Sequence, residues 1–298
     1  MDTRLTATEA PGGSAAILDE AAQTLRQLHG QQLDTLVLER LVVGIHFVGV
    51  MLSNGRAGVA YTPTELVHSS GNRILKGSAA RVRGMPAAAV MAGHLAHPFA
   101  SVIRLATLNA LSAPFFEGGR YRVETSGDIS GVPALFNGRR ICMVGAIIPL
   151  LKRLKELRVR QVSIIDYKKE TQAEAEAGYG TFVSPEHTAE TLARCDTAVF
   201  TGASVANGTI EQLISHVPAQ AAFMVVGPTA GFVPEPLFRR NAVLVGTVVV
   251  TDAEQALEVL AEGGGGYRLF GSCVRKINLL NVPRLEALGL GDFLSKTI

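Results

Sequence analysis

Between Ser14 and His29 the apolar residues Ile17, Leu18, Ala21, Leu25 and Leu28 recur at the spacing of one helical face. Gly30 follows where a helix C-cap is expected. Beyond it, "LDTLVLERLVVGIHFVGVMLSNGRAGVAYTP" carries β-rich runs on either side of Asn54-Gly55. That dipeptide predicts a hairpin with a type I′ turn, which needs positive φ at both positions. "PAAAVMAGHLAHPFASVIRLATLNALSAPFF" reads as two successive helices, with Pro98 in the first turn of the second. These elements predict a smaller α+β domain over residues 14–133.

From Asn137 the rhythm changes. Five apolar runs, "RRICMVGA", "VRQVSIID", "DTAVFTGA", "AQAAFMVVGP" and "NAVLVGTVVV", are separated by helical stretches such as "IIPLLKRLKELR" and "GTIEQLISHV". Apolar strands alternating with amphipathic helices predict a parallel sheet covered on both faces. Residues 134–298 are thus expected to form a Rossmann-like, doubly wound domain, making the chain an α/β protein.

Composition narrows the partners. The chain is 47% hydrophobic and 18% charged, and its net charge is +2. It has no Lys/Arg-rich block, which argues against nucleic acid, whose phosphates demand such a surface. "MDTRLTATEAPGGSAA" lacks an apolar h-region, so no secretory signal is expected there. The apolar stretch Leu36 to Leu52 contains Glu39, Arg40 and His46 and is too short to span a bilayer. Cys142, Cys195 and Cys273 are odd in number and widely spaced, which suggests a reducing, cytoplasmic setting. The apolar C-terminal segment "LLNVPRLEALGLGDFL" suggests a homodimer.

Doubly wound sheets bind ligands beyond the carboxyl ends of their strands. After the first strand, Gly145 opens a turn that lacks the rest of the G-x-G-x-x-G fingerprint. Gly145 either admits a ligand or makes a tight turn. Asp166 ends the second strand, where nucleotide-binding folds place a ribose-binding acid; a surface or capping aspartate is the competing reading. After the third strand come Thr201, Gly202, Ala203 and Ser204, with backbone N–H groups and hydroxyls at the mouth of a helix. Asn207 or Thr209 is expected to cap that helix, with Glu211 or Gln212 near capping-box spacing. Gly227, Pro228 and Thr229 would form a second lip beside the first. Asp252 is expected to cap the helix "AEQALEVL".

Glu65 leaves the hairpin with Tyr61, Thr62 and Thr64 and could face the cleft. His94 and His97, three apart, would share a helical face as metal ligands do, but no nearby carboxylate completes a set. His46 reads as a strand residue and His68 as a loop residue, each a structural histidine. No G-x-S-x-G, P-loop or H-E-x-x-H motif supports a hydrolase.

"DTAVFTGASVANGTIEQLI", "VVGPTAGFVPEPLF" and "LVGTVVVTDAEQALEVLAEGGG" together resemble the family described as putative heavy-metal chelation. The matching positions are Thr201, Gly202, Asn207 and Thr209, then Gly227, Pro228 and Thr229, then Gly246 and Asp252, the last offset by one residue. "RLATLNAL" around Asn109 is similar to the family's A-x-x-N-A helix. The resemblance implies an enolase-like N-terminal domain, a Rossmann-like C-terminal domain and a ligand site between them. Its cargo would be a metal ion, a metal complex or a small anionic metabolite. Oxygen ligands suit these loops better than a soft or multi-histidine cage. The alternatives are an enzyme using a nucleotide or S-adenosylmethionine-like cofactor at Gly145 and Asp166, and a non-catalytic assembly factor.

Overall fold

The computed structural model describes residues 15–75, 81–126, 131–167, 169–176 and 178–291; the expected N-terminal tail lies outside them. Helix α1 (Ala15–His29) buries Ile17, Leu18, Ala21 and Leu25, the stripe read from the sequence. Strands β1 (Leu38–Val43), β2 (Phe47–Leu52) and β3 (Ala57–Tyr61) follow as an antiparallel meander. Helix α2 (Thr64–Leu75) then leads through the short α3 (Ala87–Met91) to α4 (Ala100–Glu117).

The turn at Asn54-Gly55 is not type I′. Gly55 has φ +78°, but Asn54 is not in the positive region. Gly55 N–H donates to Leu52 O at 2.9 Å and Leu52 N–H to Arg56 O at 2.8 Å, the pattern of a three-residue loop with a glycine bulge. Three further expectations change. His46 lies in the β1–β2 turn and His68 inside α2. Pro98 precedes Phe99, the N-cap of α4, instead of entering its first turn. His94 and His97 fall in the α3–α4 connection, so no helical face unites them.

The small sheet is covered on both sides. Val48, Val50 and Ala60 point to one face and Met51, Ala57 and Val59 to the other, as a period of two requires. Helix α4, almost wholly buried, covers the first face. A Cβ on Gly58 would lie 2.3 Å from Ala106 O, so only glycine lets this helix backbone sit on the strand.

The chain next forms β4 (Arg122–Glu124), β5 (Arg140–Val144), α5 (Ile148–Leu154), β6 (Gln161–Ile165), α6 (Lys169–Glu176), β7 (Thr181–Val183) and α7 (Thr188–Ala193). There follow β8 (Thr197–Thr201), α8 (Ala203–Ala206), α9 (Ile210–Ser215), β9 (Ala222–Val226) and α10 (Glu235–Arg239). Last come β10 (Ala242–Val250), α11 (Ala253–Ala261), α12 (Gly266–Ser272), β11 (Val274–Leu280) and α13 (Val282–Ala287).

The large sheet runs β4-β11-β10-β9-β8-β5-β6-β7. Its six parallel members, β5 to β10, stand in the spatial order 3-2-1-4-5-6 of a Rossmann sheet. β11 and β4 add antiparallel to the β10 edge, so the sheet is mostly rather than wholly parallel. Leu257 and Leu260 of α11 supply the second cover of the small sheet, lying 2.6 Å from where a Gly49 Cβ would be. Leu279, Leu280, Leu285 and Leu290, in the segment expected to dimerise, are buried in the chain's own cores. Among the described residues, no helix is long and apolar enough to cross a membrane.

Candidate functional site

In this strand order the connections diverge between β5 and β8, the switch point above whose carboxyl ends doubly wound sheets place their ligands. Gly145 closes the β5 turn at φ +82°, a region that L side chains avoid. Its N–H donates to Ile165 O at 2.8 Å. The Thr201 methyl packs against it: a Cβ on Gly145 would lie 2.3 Å from Thr201 Cγ2. Ala146 N–H donates to Asp166 Oδ2 at 2.9 Å, so the acid that ends β6 braces the β5 turn. Tyr167 beside it is 81% exposed. Gly145, Asp166 and Thr201 are each partly accessible.

The β8 turn is largely self-satisfied. Ser204 Oγ donates to Thr201 O at 2.7 Å, and Gly202 N–H to Val226 O at 2.8 Å. Ala203 opens α8, a single helical turn that ends at Asn207. The expected helix cap is not made. Thr209 occupies the N-cap position of α9, but its hydroxyl donates to Asn207 Oδ1 at 2.9 Å. Asp252 does cap α11, accepting from Gln255 N–H at 3.0 Å.

The β9 turn lies against the β8 turn: a Gly202 Cβ would be 3.1 Å from Thr229 Cβ. Its polar groups face the small domain. Thr229 Oγ1 accepts from Tyr61 N–H at 2.9 Å. Asn109 Nδ2, on α4, donates to Val59 O (2.8 Å), Thr229 O (3.1 Å) and Pro228 O (3.3 Å). Val233 N–H donates to Ser112 Oγ at 2.9 Å. Asn109, Ser112 and Thr229 are all buried. The second lip is therefore a clasp to β3 of the small sheet and to α4 on this side. Apart from the resemblance, nothing in the sequence set Asn109 apart from the other polar residues of its helix. Ser112 gave no signal.

A second clasp is ionic. Glu20 of α1 meets Arg239 and Arg240 at 2.5 and 2.8 Å, and Arg240 also meets Glu211 of α9 at 2.7 Å. The Arg240 hydrogen bond holds the Glu20 carboxyl below the usual range, against a smaller upward push from burial.

Glu65, in the first turn of α2, is exposed and close in sequence to the clasped Tyr61. His94 is exposed, while His97 Nδ1 accepts from Phe99 N–H at 3.1 Å, and burial lowers its pKa. Among the described residues, no group of three or more His, Cys, Asp or Glu could hold a metal ion. All three cysteines are buried, and burial pushes the Cys195 thiol up to about 11. The switch-point residues carry oxygen donors, and the three thiols lie in the hydrophobic cores.

Concavities of 380, 410 and 420 Å³ lie elsewhere: under the amino ends of β5 and β8 around Arg140 and Asp196, beside Tyr179, and along β1. In the first, Asp196 and Arg140 pair at 2.7 Å, which lowers the carboxyl to about 2. An ion pair already satisfied in this way is structural.

The fold is that of an α/β protein, with a Rossmann-order sheet clasped to a small meander and its helices. A family model described as putative heavy-metal chelation matches residues 130–279, half of the chain, and another of the same description matches 26–112. The chain belongs to that family. It is similar to a family protein of unknown function from Pyrococcus horikoshii, with a TM-score of 0.66 and 17% identity, over 89% of this chain and 99% of that one. A family protein of unknown function from Desulfitobacterium hafniense gives a TM-score of 0.60 and 17% identity, over 87% and 99%. At that identity the likeness is one of fold. No curated protein matches the chain.

Proposed function

We propose that this protein binds a small anionic metabolite, or a metal ion carried by such a chelator, over the β5–β8 switch point. Gly145, Asp166 and Thr201 form the floor, with Gly227 and Pro228 as the near rim and Glu65 as the residue most able to reach in from the small domain. The observation that carries this reading is the partly accessible switch point itself, in a fold that uses that place for ligands. Ser204 and Thr229 already spend their hydroxyls on protein partners, so they shape the wall rather than touch cargo.

The donor set argues for a chelated metal over a bare one. Hydroxyl, amide and carboxylate oxygens without a histidine or thiolate cluster give a bare transition metal little to hold. The test measures thermal stability and retained metal after incubation with Ni(II), Co(II), Zn(II) or Fe(III), each free and as its citrate complex. The reading expects citrate complexes to stabilise the protein more than free ions, and Thr201→Val to abolish the difference. Equal, null responses to every form would overturn it.

A second reading, an adenine-bearing cofactor, is favoured by Tyr167, an exposed aromatic directly after the acid that ends β6. Stabilisation by S-adenosylmethionine or a dinucleotide, lost in Tyr167→Ala, would select it.

A further inference from the structure

Two polar atoms inside the clasp are buried and meet no protein partner among the described residues: Asn109 Oδ1 and Thr247 Oγ1. Their residues are 6% and 4% exposed. Asn109 comes from α4 in the small domain and Thr247 from β10 in the large sheet. Both adjoin Gly231, just past the Gly227-Pro228-Thr229 turn. From the position a Gly231 Cβ would take, Asn109 Cγ and Thr247 Oγ1 each lie 3.2 Å away, and Pro228 O lies 3.3 Å away. Because residue 231 is glycine, no Cβ fills the point beside these groups.

The amide orientation is fixed by its surroundings. Asn109 Nδ2 faces three carbonyl oxygens, so a flipped amide would put oxygen against oxygen three times. Oδ1 must therefore point away from them and needs a donor. Thr247 has one hydroxyl proton to give and can accept as well. A single molecule that both donates and accepts satisfies the two together.

We propose that this seam holds one ordered water molecule, donating to Asn109 Oδ1 and bonded to Thr247 Oγ1, which ties α4 to β10. Thr247 Oγ1, Asn109 Oδ1 and the nearby Pro228 O supply the two to four polar partners of a buried water. The proposal rests on these buried partners alone and not on what the switch point binds.

The test is a crystal structure of the full chain at a resolution that orders internal waters, repeated for Thr247→Val and Thr247→Ser. The expected wild-type map has one peak about 2.7–3.2 Å from both oxygens. Thr247→Ser keeps it; Thr247→Val loses it and unfolds at lower urea than Thr247→Ser. A direct Asn109–Thr247 hydrogen bond with no density between them would overturn the proposal. So would an anomalous peak at the site in crystals exchanged into rubidium or thallium(I), which would mark a monovalent cation. Should Thr247→Val fail to fold, the wild-type and Thr247→Ser maps still decide.

Discussion

Gly145→Ala tests the architecture of the switch point, because two separate effects act on one methyl group. The first is conformational: a non-glycine residue at φ +82° costs about 1–2 kcal/mol. The second is steric: the new Cβ would lie 2.3 Å from Thr201 Cγ2 and 2.8 Å from Thr201 Cβ, and such overpacking costs about 1–3 kcal/mol. Gly145→Ala should therefore lose about 2–5 kcal/mol in urea unfolding. The two parts separate in a double-mutant cycle with Thr201→Ser, which removes the Cγ2 methyl and keeps the hydroxyl. In the Thr201→Ser background the steric part shrinks, while the backbone part stays. The coupling between the sites should be about 1–2 kcal/mol, with alanine better tolerated when serine is present. The measurement is the change in urea midpoint at constant m for the wild type, both singles and the double. Additivity within about 0.5 kcal/mol would show that the two residues are not in contact, and the geometry of the β5–β8 switch point would fall with it.

Other consequences can be checked as directly. Asn109→Ala removes the shared donor of three carbonyls and should cost about 2–4 kcal/mol by urea unfolding, and a loss under about 0.5 kcal/mol would refute the clasp. Glu20 has a folded-state pKa below its unfolded value, so its contribution is present above the ordinary carboxylate pKa and is lost as pH falls through the folded one. Glu20→Gln should therefore flatten the acid limb of the stability curve, read as melting temperature from pH 7 down to pH 3. With its thiol raised and buried, Cys195 should resist alkylation in the native protein at pH 8 and react fully in urea, followed by mass spectrometry of the modified peptide.

The large sheet was legible because its central strands are buried on both faces and so read as unbroken apolar runs. The strands that sequence reasoning passed over lack that signature. β7 and β4 are three residues each, and β11 opens with Val-Arg-Lys on an accessible edge. His94 and His97 went astray because the first of the two helices read there ends at Met91, before either histidine. At the site, Gly145, Asp166 and Thr201 were visible through their places at strand ends. What could not be read was the partner of each polar group. Nothing local to Thr229 shows that a backbone N–H from residue 61 will reach its hydroxyl. For the same reason Asn207 and Thr209 looked like caps: their bond to each other arises only once α8 has formed as a separate turn.

The covering of the small sheet by α11 has a consequence for synthesis. Residues 38–61 leave the ribosome early, yet the helix that closes their second face is residues 253–261. At about 5–20 residues per second, that face waits roughly 10–40 s for its cover. During that time Met51, Ala57 and Val59 are open to water and to neighbouring chains. The nascent small unit is thus a natural client for a chaperone, and a fragment ending near residue 133 should aggregate rather than persist as a free domain.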